Sequence, residues 1–92
     1  MIRSFRDKET RAIFHQQRVK KFQHITAVAL RRLVQIDSAD ELRDLASPPA
    51  NRLEALRGDR AGQYSVRVND QYRICFRWKD GHAFDVEITD YH

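Results

Sequence analysis

Hydrophobic residues recur with two different periods along the chain, and the period changes near the middle. In the first half, Ile13 and Phe14 stand among charged residues, which predicts a short amphipathic helix over 8–17 with Asp7 as its cap. From 26 to 36 the apolar positions follow helical spacing more closely. The first half therefore predicts two helices, the second better defined than the first.

Shorter elements are predicted on either side of these helices. Ile2 to Phe5 alternates weakly and has the length of an edge strand. Ser38 and Glu41 have the spacing of a capping box, which predicts a third, short helix running to about Leu45. Pro48 and its neighbouring proline lack an amide hydrogen and end that helix.

The second half alternates apolar and polar residues with a period of two. The alternation runs over 64–68, 72–78 and 84–88, and the runs are separated by short polar segments. Such a pattern predicts an antiparallel meander with one buried face and one polar face.

The loop between the last two runs sets their register. A two-residue turn at 80–81 would bring polar and apolar side chains onto the same face. A three-residue loop at 79–81 instead aligns Phe76 with Phe84, and we expect that register.

A three-residue loop at 69–71 aligns the first two runs in the same way. In this register Arg67 faces Arg73 on the polar side, and Arg73 faces Glu87 on its other side. Two adjacent arginines repel each other unless an anion lies between them, so this pair is a candidate phosphate site. The alternative is that Glu87 and solvent satisfy both guanidinium groups.

Charge narrows the possible partners. The 92 residues include 17 Lys+Arg and 13 Asp+Glu, which gives a net charge of +4. Thirteen of the cations are arginines, whose planar fork suits phosphate. A polyanion is therefore the first partner to consider, although an ordinary arginine-rich surface would have the same composition. With no apolar run of membrane-spanning length and no secretory leader pattern, we expect a cytoplasmic protein without a membrane partner.

Several kinds of site are not expected. The four histidines lack metal-ligand spacing, and no glycine-rich phosphate loop is present, so we expect neither a metal nor a cofactor. Cys75 lies in the middle of a predicted strand and is expected to be structural. The remaining chemistry lies in Asp90, Tyr91 and His92, three consecutive groups that exchange protons. The alternative is an ordinary polar tail.

Three segments, taken together, resemble HigB-type toxins, including their GraT branch, within the RelE/ParE toxin superfamily. They are Arg52–Arg60 with its Leu-x-Gly-x-Arg pattern, Gln63–Phe76 with its Asn-x-Gln-Tyr-Arg-Ile strand, and the terminal Val86–His92. The resemblance covers almost the whole chain. It implies a single domain over 1–92 of α+β class, with two or three N-terminal helices packed on a small curved antiparallel sheet, the RelE-like microbial RNase fold.

The resemblance also implies an activity and its residues. HigB-type toxins cleave messenger RNA on the translating ribosome by metal-independent acid–base chemistry. Carried over by position, the catalytic residues would be Arg57, Arg73, Asp90, Tyr91 and His92. The implied partners are a HigA-like helix-turn-helix antitoxin, the ribosomal A site with its messenger RNA, and operator DNA through the antitoxin.

Further RNA contacts are expected from Arg60, Arg67, Lys20 and Lys21. Some relatives carry lysine at position 57 or histidine where this chain has Glu54, which leaves the role of Glu54 open.

Two alternatives to the nuclease remain open. One is a non-enzymatic inhibitor of DNA gyrase of the ParE type, which the terminal Asp-Tyr-His argues against. The other is a chain that acts mainly as a corepressor together with its antitoxin.

Overall fold

Two helices pack on one face of a four-stranded antiparallel sheet in the computed structural model, which describes residues 1–90. The elements are α1 (Lys8–Phe14), α2 (Thr26–Ser38), β1 (Glu54–Ala55), β2 (Tyr64–Arg67), β3 (Tyr72–Lys79) and β4 (His82–Asp90). The strands lie in the order β1-β2-β3-β4. The predicted α+β class is confirmed.

The hydrophobic core lies between the two helices and one face of the sheet. Ile13 of α1 and Leu33 of α2 have no exposed surface, and neither do Ile74, Phe76 and Val86 of the sheet. The predicted apolar face of the sheet and both predicted helical faces are thus buried against each other.

The short helices differ from the prediction at their ends. Asp7 stands at the N-cap of α1, but its side chain makes no capping hydrogen bond. The capping box predicted at Ser38 is wrong because Ser38 still belongs to α2. The box lies three residues later, where the Asp44 carboxylate accepts the Glu41 backbone N–H at 3.0 Å and starts a 3-10 turn over Leu42–Ala46. Within residues 1–90, no helix combines the length and apolarity needed to cross a membrane.

Both edges of the sheet carry short extended segments. At one edge, Ile2 bridges Ala83 and Phe5 bridges Val86 in parallel orientation, so the predicted N-terminal edge segment lies beside β4. At the other edge, β1 pairs through Glu54 opposite Ser65. Periodicity did not predict β1 because two residues are too few to show alternation.

The register between β2 and β3 agrees with the prediction. Val66 lies opposite Ile74, and Arg67 lies opposite Arg73.

The register predicted between β3 and β4 is wrong. Asp80 and Gly81 both have positive φ, of 53° and 80°, and form the two-residue turn that the alternation argues against. Arg77 consequently lies opposite Phe84.

A bulge in β4 then restores the alternation. The register shifts by one residue between Cys75 and Arg77, with Asp85 in the left-handed region at φ 53°. Beyond the bulge, Cys75 faces Glu87 and Arg73 faces Thr89, so the predicted Arg73–Glu87 pair does not form.

The bulge gives a stability prediction at Asp85. A β-branched residue tolerates positive φ poorly, so we expect Asp85→Val to lower the free energy of unfolding by about 1–2 kcal/mol. Asp85→Gly should stay within about 0.5 kcal/mol of the original, because glycine adopts this conformation without steric cost. Urea denaturation followed by circular dichroism measures both variants. Equal stability of the valine and glycine variants would show that the left-handed conformation imposes no constraint.

Candidate functional site

The face of the sheet turned away from the helices carries polar and charged side chains. Alternation along the paired strands assigns Ser65, Arg67, Arg73, Cys75 and Glu87 to this open face. Despite their polarity, Ser65 and Cys75 are fully buried and Arg73 is only 7% exposed. The open face is therefore a partly enclosed polar surface.

Arg73 is held in place by acceptors from two other segments. Its Nε donates to the Ser65 hydroxyl at 2.7 Å, and one Nη donates to the Arg52 carbonyl at 2.6 Å. The Glu54 carboxylate lies 3.9 Å from the same nitrogen. A buried cation needs such compensation, and hydrogen bonds to a planar guanidinium also fix its direction. The side chain of Arg73 is thus both charged and immobilised.

Glu54 lies near Arg73 and lines a cleft together with Arg57. An open cleft of about 600 Å³ is lined by residues 54–57, and Arg57 is exposed at its end. Arg57 also caps the 3-10 turn Gly58–Arg60. Of the two arginines predicted to bind phosphate, Arg73 thus lies 3.9 Å from the Glu54 carboxylate, and Arg57 lines the same cleft as Glu54.

Glu87 organises the adjacent part of the open face. Its carboxylate lies 3.2 Å from Arg6 Nε and 3.6 Å from Arg60 Nη2, and it accepts the Thr89 hydroxyl at 3.2 Å. Arg60 also donates to the side-chain oxygen of Gln63 at 3.0 Å. The sequence offered no signal for the contact with Arg6, because the two residues come from opposite ends of the chain.

The facing arginines Arg67 and Arg73 each have their own acceptors. Arg67 forms an ion pair with Asp70, and its carbonyl oxygen accepts Arg32 Nε at 3.0 Å. Burial lowers the pKa of the Arg32 guanidinium from its ordinary value, and the nearby charges of Arg31 and Arg67 lower it further. Glu87, which the alternative expected to satisfy both guanidinium groups together with solvent, lies instead opposite Cys75 because of the bulge.

Asp90 lies at the end of β4, opposite Tyr72. Its carboxylate accepts the Gln71 side-chain amide at 3.1 Å. Because side chains alternate along β4, Asp90 belongs to the same face of the sheet as Ile88. The β4 residue opposite Arg73 is Thr89. Tyr91 and His92, the other two predicted proton-transfer residues, lie outside the described residues.

The basic segment between the helices lies near this same end of the sheet. Lys20 and Lys21 are exposed in the 3-10 turn Lys20–Phe22. The ring of Phe22 packs edge-on against Tyr72 with centroids 5.5 Å apart, and Lys21 Nζ lies 5.2 Å from the Phe22 centroid. Because Tyr72 pairs with Asp90, the two lysines lie at the same end of the sheet as Asp90.

Cys75 is buried among these charged groups. Burial raises the pKa of its thiol, and the hydrogen bond with Thr89 and the charge of Arg60 only partly oppose that effect. A thiol that stays protonated is a poor nucleophile, which agrees with the structural role expected for it.

Comparison with known proteins identifies relatives over part of the chain. Toxin HigB-1 of Vibrio cholerae serotype O1 is 45% identical over 58 residues, which cover 63% of this chain and 61% of that protein. Endoribonuclease HigB of Proteus vulgaris is 38% identical over 61 residues, covering 66% of this chain and 65% of that protein. The matched segments thus span less than two thirds of either relative's length.

Solved structures with the same fold are more distant in sequence. The YoeB–YefM toxin–antitoxin complex from Staphylococcus aureus contains a chain that is 18% identical with a TM-score of 0.57, and the match covers 100% of this chain and 98% of that one. The YoeB/ParE toxin from Agrobacterium tumefaciens is 17% identical with a TM-score of 0.51, covering 99% and 100%. These similarities support the fold alone.

At the level of sequence, a family match spans this chain almost completely. A model of the HigB-like toxin family, described as the RelE-like toxin of the type II toxin–antitoxin system HigB, matches residues 3–92. The chain therefore belongs to the HigB-like family of RelE-like toxins.

Proposed function

We propose that this chain is the toxin of a type II toxin–antitoxin pair and cleaves messenger RNA in the A site of the translating ribosome. The observation that carries the proposal is the immobilised guanidinium of Arg73 on the open face. The name of the Proteus vulgaris relative, an endoribonuclease, supports the same reaction class.

The reaction needs groups that stabilise phosphate charge and groups that move protons. The ribose 2′-oxygen loses a proton and attacks the adjacent phosphorus; the bond to the 5′-oxygen breaks, and that oxygen gains a proton. The products are a 2′,3′-cyclic phosphate and a 5′-hydroxyl, so atoms and charge balance without a metal ion.

Arginines and proton carriers divide this work. Arg73 and Arg57 bind the phosphate, because a guanidinium stays charged near neutral pH and cannot accept the 2′-proton. Preorganised donors of this kind stabilise the charge that develops in the transition state. Asp90, Tyr91 and His92 supply proton transfer and orientation.

Four further cations extend the RNA surface in two directions. Arg60 lies on the open face with Arg73, and Arg67 continues the surface along β2. Its partner Asp70 is fully exposed, so an RNA phosphate can replace that carboxylate at small cost. Lys20 and Lys21 contact the RNA backbone on the side of Tyr72.

The proposal also fixes the cellular setting. The antitoxin is a HigA-like helix-turn-helix protein, and through it the pair binds operator DNA. Because the substrate is presented by the ribosome, the toxin acts in the cytoplasm, as one domain over residues 1–92.

Replacing Arg73 tests the phosphate-binding role. We expect Arg73→Ala to reduce messenger RNA cleavage by about 10²–10³-fold, the usual effect of removing one donor from a charge-stabilising site. Arg43→Ala is the matched control, because Arg43 is highly exposed and its carboxylate contact in the structure is with Glu41. Mapping of messenger RNA ends in translating cells measures both variants. Cleavage by Arg73→Ala at the wild-type rate would remove Arg73 from the site.

A gyrase supercoiling assay on the same proteins distinguishes the proposed ribonuclease from the leading alternative, a gyrase inhibitor. A ParE-like inhibitor would block supercoiling and leave messenger RNA intact. We expect this protein to leave supercoiling unchanged and to cleave messenger RNA.

A second test concerns Cys75. We expect Cys75→Ala to cleave RNA within about twofold of wild type, because the raised pKa keeps the thiol protonated and the mechanism needs no covalent intermediate. Consistently, a thiol reagent at pH 8 should label the native protein much more slowly than the chain unfolded in urea. Loss of cleavage in a folded Cys75→Ala protein would point instead to covalent chemistry.

A further inference from the structure

Phe84 is an aromatic residue that the bulge turns onto the open face. It lies opposite Arg77, which alternates on β3 with Arg73 and Cys75. Among residues 1–90, Phe84 belongs neither to the buried core nor to the partly buried hydrophobic side chains packed against it. A half-buried phenylalanine has thus been placed on the polar side of the sheet.

A shallow pocket surrounds this ring. Its volume is about 520 Å³, and its lining residues are Gly62, Arg77, Trp78, Lys79, Phe84 and Asp85. A Cβ at Gly62 would stand 3.1 Å from an Arg77 Nη, so a side chain there would crowd the guanidinium and require it to shift by a few tenths of an ångström. The absence of a side chain at Gly62 therefore keeps room for Arg77 beside the ring.

The residue that forms the bulge also orients the cation. The Asp85 carboxylate lies 3.7 Å from Arg77 Nε, with both side chains about half exposed. One local distortion thus sets Phe84 on the open face and holds an arginine next to it. Bulges near functional sites commonly redirect side chains in this way.

We propose that Phe84 and Arg77 form a subsite for one RNA nucleotide, in which the base stacks on the Phe84 ring and the phosphate contacts Arg77 and Lys79. The proposal rests on the ribonuclease function above and extends it to a neighbouring nucleotide. Arg73 and Arg77 are four residues apart on one strand, about 13 Å, too far to share one phosphate.

RNA is the occupant that the surroundings favour. The pocket continues the face that carries Arg73 and Arg60, so one strand of RNA can pass over both sites. An aromatic ring flanked by arginine accepts any base, because every base presents a π-face. The carboxylates of Asp80 and Asp85 limit the positive charge here, which makes stacking the main attraction.

The test uses full-length toxin and ribosomes programmed with messenger RNA that carries 2-aminopurine at successive positions around the cut. We expect wild type to quench the fluorophore at one position next to the cleaved nucleotide. Phe84→Leu should lose that quenching and cleave about tenfold more slowly, since leucine offers no aromatic ring on which a base can stack. Phe84→Tyr should retain both properties.

Phe14→Leu is the matched control. Phe14 is also half-buried, but it packs against Phe5 and His15 on the helical side, so its loss should change neither readout. Thermal denaturation of each variant establishes that it is folded. If wild type fails to cut messenger RNA, the ribonuclease function itself is wrong. If wild type cuts and Phe84→Leu cuts and quenches equally well, the subsite is wrong.

Two further measurements, binding to vacant ribosomes and binding to the antitoxin, identify which molecule contacts Phe84. Weaker sedimentation of Phe84→Leu with vacant ribosomes would support the subsite and assign the nucleotide to ribosomal RNA. Unchanged sedimentation with lost quenching would assign it to messenger RNA. Reduced affinity for the antitoxin, with both RNA readouts unchanged, would overturn the proposal in favour of a protein contact.

Discussion

Phe76 of β3 faces two residues of β4, Asp85 and Val86, because β4 carries one residue more than the strand it pairs with. On the terminal side of this bulge, Val86 and Ile88 are buried in the core. On the hairpin side, Phe84 is turned away from it. Without the extra residue, the two-residue turn and the buried face would require different registers, since a shift of one residue exchanges the two faces of a strand. The positions of both the core and the open face therefore depend on Asp85.

On the open face, charged side chains are partly buried and each is compensated by polar partners. Arg73 contacts the Ser65 hydroxyl, the Arg52 carbonyl and the Glu54 carboxylate. Glu87 contacts Arg6, Arg60 and the Thr89 hydroxyl. Burial of such groups is tolerated because each has partners, and loss of one partner would leave a buried charge uncompensated. The same contacts preorganise the guanidinium of Arg73, which favours the phosphate binding proposed for it because little entropy remains to be lost.

Much of the fold could be predicted from local patterns, whereas the site depends on contacts that patterns do not contain. Periodicity predicted two helices, three strands and the pairing of Arg67 with Arg73, because each depends on neighbouring residues. It could not predict the bulge, since the apolar alternation of 84, 86 and 88 is the same with or without an inserted residue. The contact of Arg6 with Glu87 joins the two ends of the chain and has no local signal.

The excess positive charge and the proposed phosphate site lie in different parts of the sequence. Residues 1–40 contain nine cations and four acids, whereas 41–92 contain eight cations and nine acids, yet Arg73 and Arg57 belong to the second group. Arg73 lies close to a carboxylate that helps fix its direction, while Lys20 and Lys21 in the first group are exposed. Exposed cations attract a polyanion over distance without selecting a geometry, whereas oriented ones act only at contact. In the proposed function, the excess positive charge therefore serves encounter with RNA, and the nearly neutral half provides the oriented Arg73 at the phosphate.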